Sequence, residues 1–191
     1  MLTRTQIQRL AQRNHIGMQV QERDYLQHLL LSLLYNRSQA LIFKGGTALR
    51  LVYQGNRYSE DLDFNGPDDA DTLRHLWRDI VTDLKDFGIQ AEIRKEWESD
   101  VGYSFEVSYQ GPLYDGRDRS NGKVRVDVNR RPEPVETRRQ LVTSEYDDVR
   151  PFGDGVDAGA LDGGEGARPV GTRQAPRLVR CLDAVEPGRV A

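Results

Sequence analysis

Between Gln21 and Tyr35 the chain places leucines at 26, 29, 30, 33 and 34, a spacing that predicts a largely buried helix. "ALIF" at 40–43 reads as a short buried strand; two glycines end it, and "TALRLVY" predicts the next helix. In "SEDLDF" the period changes. Asp61 and Asp63 fall on one face and Leu62 and Phe64 on the other, as a half-buried strand requires. After the turn "NGPDDAD", the residues Leu73, Leu76, Trp77, Ile80, Val81, Leu84 and Phe87 share one helical stripe, with Gly88 placed to cap it. Three alternating strands follow, carried by Ile89, Ala91 and Ile93, then by Tyr103, Phe105, Val107 and Tyr109, then by Val124, Val126 and Val128. No internal repeat is visible.

The last of these strands adds chemistry to the pattern. In "GKVRVDVN" the valines occupy one face and leave Lys123, Arg125, Asp127 and Asn129 on the other. If the strands are neighbours, Asp127 joins Asp61 and Asp63 in a cluster of three carboxylates. Such groups repel one another, and hard divalent cations bound by oxygen are the usual resolution. Two Mg²⁺ ions about 3.5 to 4 Å apart form the standard clamp for nucleotidyl displacement. Gly45 and Gly46, between a strand and a helix, would let backbone N–H groups approach a phosphate at the positive end of the helix dipole. Lys44, Thr47 and Arg50 supply further donors to a triphosphate. Alone, a Gly-Gly pair is more often a turn and a DxD pair a solvated strand face; it is their order, with a distant strand aspartate, that gives them a shared geometry.

Other candidates are weaker. His28 sits in an apolar helix, His15 in a polar stretch and His75 off its helix's apolar stripe, so packing or exposure accounts for all three, and none has zinc-ligand spacing. Tyr103, Phe105 and Tyr109 read as sheet core rather than a base-stacking platform. "RRPEPVETRRQ" at 130–140 reads as an exposed charged loop. The 191 residues suit one domain with or without an appendage, and the net charge of −3 gives no global reason to bind nucleic acid. No apolar run approaches a membrane span, the N-terminus lacks a signal-peptide core, and the single Cys181 excludes an internal disulfide framework. These features predict a cytoplasmic protein.

"FKGGTALRLVYQGNRYSEDLDF", Phe43 to Phe64, resembles the signature of the AbiEii/AbiGii-type nucleotidyltransferase toxins, which include the MenT proteins and belong to the polymerase-beta-like nucleotidyltransferase superfamily. The resemblance is close over that stretch and compatible from about Gln21 to Phe152. It implies an α/β (α+β) fold with a mixed sheet flanked by helices. It further implies Mg²⁺-dependent transfer of nucleotides from NTP, a tRNA 3′ end as acceptor, and a cognate antitoxin. By position, Gly45 and Gly46 would hold phosphate, Asp61 and Asp63 metal, and Asp127 would be the third carboxylate. Ser59 stands two residues before the first aspartate, where some relatives are phosphorylated; a phosphate there would add negative charge beside the metal and block NTP binding.

The resemblance ends near Arg150. The family typically continues into a helix resembling "ELLAEKVRALLARGKPRDLYDVW", whose Lys and Asp are needed for activity. Here the chain has no Lys after Lys123, and Gly, Ala, Arg and Pro make up over half of 151–191. The sequence therefore predicts a nucleotidyltransferase-like domain over 1–152 and a low-complexity tail over 153–191. Codons for 160–183 read one nucleotide later permit a run resembling the missing motif, which points to a frameshift near Phe152. Two functions follow: a nucleotidyltransferase toxin, or a catalytically impaired remnant that keeps nucleotide or antitoxin binding.

Overall fold

A computed structural model describes residues 1–132 and 137–157. The expected tail from 158 onward, with the frameshift reading and Cys181, lies outside the described residues.

The chain opens with helix α1 (Arg4–Arg13), begun by a reciprocal capping box between Thr3 and Gln6 and burying Ile7 and Ala11. Sequence analysis read only a polar stretch here: Ile7, Leu10 and Ala11 keep helical spacing, but the seven other positions of the helix are polar. Helix α2 (Met18–Arg37) contains the expected leucine segment and is buried on nearly every side, polar residues included. Strand β1 (Ile42–Lys44) runs into helix α3 (Gly45–Tyr53), and β2 (Asp61–Asn65) returns antiparallel beside β1. Helix α4 (Ala70–Asp83) starts at an Asp69 cap and ends in a 3₁₀ turn (Leu84–Phe87) closed by Gly88 at φ 73°, as the stripe and its glycine predicted.

The meander β3 (Gln90–Glu98), β4 (Gly102–Gln110) and β5 (Gly122–Asn129) follows, then β6 (Thr137–Val142) and β7 (Phe152–Asp157). Together they form one mixed sheet of seven strands in the order β3-β4-β5-β2-β1-β7-β6. The β2–β5 and β1–β7 pairs are parallel. Residues 137–140, expected in a charged loop, instead lie in β6, where an edge strand needs only backbone pairing on one side. The boundary expected after Phe152 falls inside β7, whose backbone pairs with both β1 and β6.

The two faces of the sheet differ. Leu62, Phe64, Tyr103, Phe105, Val107, Val124, Val126 and Val128 are buried with α2 and α4, and Trp77 meets both Phe64 and Phe105 at ring-centre distances of 5.8 and 5.3 Å. Burying the apolar side fixes the register, because a slip by one residue would turn every valine outward. It also forces Asp61, Asp63 and Asp127 together onto the opposite face.

Candidate active site

The register places Asp63 of β2 directly opposite Asp127 of β5, and Asp61 opposite Arg125. On its other side Asp63 faces Lys44 of β1. Three carboxylates from two neighbouring strands therefore share one face, as the alternation required. Burial first, then repulsion from Asp127, raises the pKa of both Asp61 and Asp63; Lys44 and Arg125 only partly offset this at Asp63. Asp127 is engaged differently. It accepts a hydrogen bond from the Ser104 hydroxyl at 2.5 Å and pairs with Arg125 at 2.8 Å, which lifts the arginine's pKa.

Hard oxygen donors held in mutual repulsion suit a divalent cation. Among the described residues, however, no three such side chains converge on one point as they stand. Arg125 stands where a cation would sit beside Asp127, so a metal shared by all three carboxylates would have to displace it.

The glycine turn abuts this cluster. Gly45 adopts φ 74°, and a Cβ there would lie 3.0 Å from Asp63 Cγ and 3.1 Å from its Cβ. Only glycine fits. A Cβ on Gly46 would stand 3.3 Å from Ser59 Oγ, so Ser59 borders the turn. The first turn of α3 receives no side-chain cap, which leaves its N–H groups facing the same region. Thr47 is buried and donates to the Asp61 carbonyl at 2.6 Å, locking α3 onto β2 rather than offering its hydroxyl to a ligand.

Arg50, expected to meet a triphosphate, points elsewhere. It forms an ion pair with Asp24 of α2 and lies 4.2 Å over the Tyr58 ring. Tyr146 donates to the same aspartate at 2.6 Å, and Gln21 donates to Tyr146. Sequence reasoning missed Asp24 because nothing in a leucine-rich helix marks which polar position will receive a cation from another element. His28 lies in this network with its ring nitrogen 2.8 Å from the Asp24 carbonyl, and burial pushes its pKa down to about 4. That is the packing role expected for it. Tyr103, Phe105 and Tyr109 are likewise core. Arg130 is tied to Asp68, Glu98 and the Ser99 carbonyl.

A DxD strand between a third acidic strand and a glycine turn, within a mixed sheet backed by helices, defines the core of a nucleotidyltransferase fold. Solved structures share that fold. MenT4, a nucleotidyltransferase toxin from Mycobacterium tuberculosis H37Rv, superposes with a TM-score of 0.60 at 22% identity over 83% of this chain and 55% of its own. JHP933 from Helicobacter pylori gives 0.53 at 20% identity, covering 74% of this chain and 53% of its own. A putative nucleotidyltransferase from H. pylori gives 0.52 at 21%, over 74% and 55%. The chain thus spans a little over half the length of these structures. It belongs to the AbiEii nucleotidyl transferase toxin family of type IV toxin–antitoxin systems, whose model matches residues 29–160. Comparison with functionally curated proteins gave no match. No described helix is long and apolar enough to cross a membrane.

Proposed function

We propose that this protein is the toxin of a toxin–antitoxin pair and transfers nucleotides from NTP to RNA, with the 3′ end of tRNA as acceptor, in the cytoplasm. The observation that carries the reading is the cross-strand juxtaposition of Lys44, Asp63 and Asp127 beside Gly45. Asp61 and Asp63, joined by Asp127 once Arg125 is displaced, would hold Mg²⁺, which supplies charge neutralisation at the reacting phosphate. The chain's own groups do the rest. The Gly45–Gly46 turn and the free N–H groups of α3 receive the triphosphate, with Lys44 as a point charge and Ser59 at the rim. Thr47 and Arg50 position α3, the first against β2 and the second against α2.

Asp127 lies on the side of Asp63 away from Lys44, which supports a role beside an acceptor hydroxyl rather than on the triphosphate. A cognate antitoxin is the partner that membership of the family implies.

Radiolabelled NTP incubated with total tRNA and Mg²⁺ tests the assignment. Wild-type protein is expected to label RNA, and Asp61→Ala or Asp63→Ala to abolish labelling. Survival of label in either variant would refute the metal assignment. A remnant without transfer activity is the second reading, favoured by the Arg125–Asp127 pair that occupies the third carboxylate. Unlabelled RNA with wild-type protein and preserved NTP binding would select it.

A further inference from the structure

The cross-strand row that contains the carboxylates does not stop at Asp127. Asp127 is opposed by Ser104 of β4, and Ser104 by Trp97 of β3. Lys44, Asp63, Asp127, Ser104 and Trp97 therefore form one line across five strands, all toward the face opposite the core. At about 4.8 Å per strand, Trp97 stands roughly 10 Å from Asp127 and lies at the far end of the row from the glycine turn.

Trp97 is 58% exposed, which is unusual for the largest apolar side chain in a chain whose other tryptophan, Trp77, is fully buried. A local irregularity sets its direction. The β3–β4 register shifts between Arg94 and Trp97, and Lys95 within the bulge takes φ 51°, a left-handed conformation disfavoured for lysine. Such bulges re-aim side chains and are frequent beside active sites. Trp97 lines a cleft of about 320 Å³ together with Lys95, Ser104, Phe105, Glu106 and Arg125. Lys95 and Arg125 keep 71% and 62% of their side chains exposed there.

We propose that Trp97 is the stacking platform for the terminal base of the acceptor strand, with Lys95 and Arg125 meeting its phosphates. This rests on the nucleotidyltransferase reading above. The acceptor, rather than the incoming NTP, is the occupant because the triphosphate turn lies at the Lys44 end of the row, beyond both Asp63 and Asp127. An exposed aromatic flanked by cations is the combination that holds single-stranded nucleic acid through a base face and its backbone. In this arrangement Arg125, on leaving Asp127, has a phosphate to receive it.

Intrinsic fluorescence of the full-length protein provides the test, since Trp97 is the exposed emitter and Trp77 the buried one. A ribo-oligonucleotide with a single-stranded 3′ end should quench emission, and NTP alone should not. Trp97→Phe should remove the quenching while retaining most of the affinity measured by anisotropy of the labelled oligonucleotide. Trp97→Ala should weaken that affinity about tenfold, the loss of one base–aromatic stack, and raise the acceptor KM without changing the KM for NTP. Quenching by the oligonucleotide without any RNA labelling supports the platform while refuting transfer. RNA labelling with unchanged acceptor affinity in Trp97→Ala refutes the platform while leaving transfer intact. Quenching by NTP alone assigns Trp97 to the donor base, and emission that changes only with protein concentration assigns it to a second copy of the chain; either overturns the proposal.

Discussion

Gly45 and Asp63 constrain each other. The glycine's left-handed backbone and missing Cβ let the Asp63 carboxyl press against the start of α3, and the same closeness keeps that carboxyl half-buried beside Asp127. The ionised form is thereby disfavoured in the fold. Because the folded pKa lies above the unfolded one, the penalty is absent at acid pH and grows as pH rises through the aspartate range. Asp63→Asn is therefore expected to raise the melting temperature at neutral pH in EDTA, by about 2–4 °C for each kcal/mol relieved. Added Mg²⁺ should stabilise the wild type and leave the variant unmoved. A variant that melts lower in EDTA would show that the carboxylate is held by attraction instead. These residues were legible in the sequence because alternation alone assigns a strand residue to a face. Arg50 and Trp97 were not. The first depends on a partner 26 positions away in another helix, and the second on a bulge that breaks the period just where the strand pattern was being read.

At the scale of elements, α2 bears an unusual burden for a central helix. It buries Gln21, Glu22, Asp24, Gln27 and His28 along with its leucines, and each has a partner in a different segment or along the helix itself. Asp24 carries most of this, taking Arg50 from α3 and Tyr146 from the segment before β7. Removing one member of a buried charge pair leaves the other desolvated and alone, at a cost of about 3–5 kcal/mol. Asp24→Ala should lose stability on that scale in urea denaturation. Arg50→Met placed on the Asp24→Ala background should recover part of it, since the stranded cation is then gone. If the double variant is no more stable than Asp24→Ala, the ion pair is not what the network rests on. Helices and strands with strong apolar periods were readable, whereas α1, β6 and β7 were hidden for separate reasons. The first is polar at seven positions, the second is an edge, and the third reads "FGDGVD", held by backbone bonds that no side-chain pattern announces.

At the scale of the molecule, β7 continues the sheet on the side of β1 away from β2 and carries the edge strand β6. Phe152 at the start of β7 is buried and stacks on Tyr35 at 5.9 Å, while Val149 and Tyr146 pack just before it. A chain ended at 151 should therefore unfold at lower urea than one ended at 157, by more than about 3 kcal/mol for the loss of a buried phenylalanine. Equal midpoints would mean that β1 is stable without its parallel partner. The other parallel pair has a different consequence, one of timing. β2 and β5 are joined by a 56-residue excursion through α4 and two further strands, so Asp127 reaches Asp63 only after the whole meander has formed. Pairings of such long range form late, after the local helices and hairpins. During synthesis the nascent protein thus carries an incomplete carboxylate set until residue 129 has cleared the ribosome and β5 has docked. The proposed transfer activity would then be withheld by chain topology until most of the domain exists.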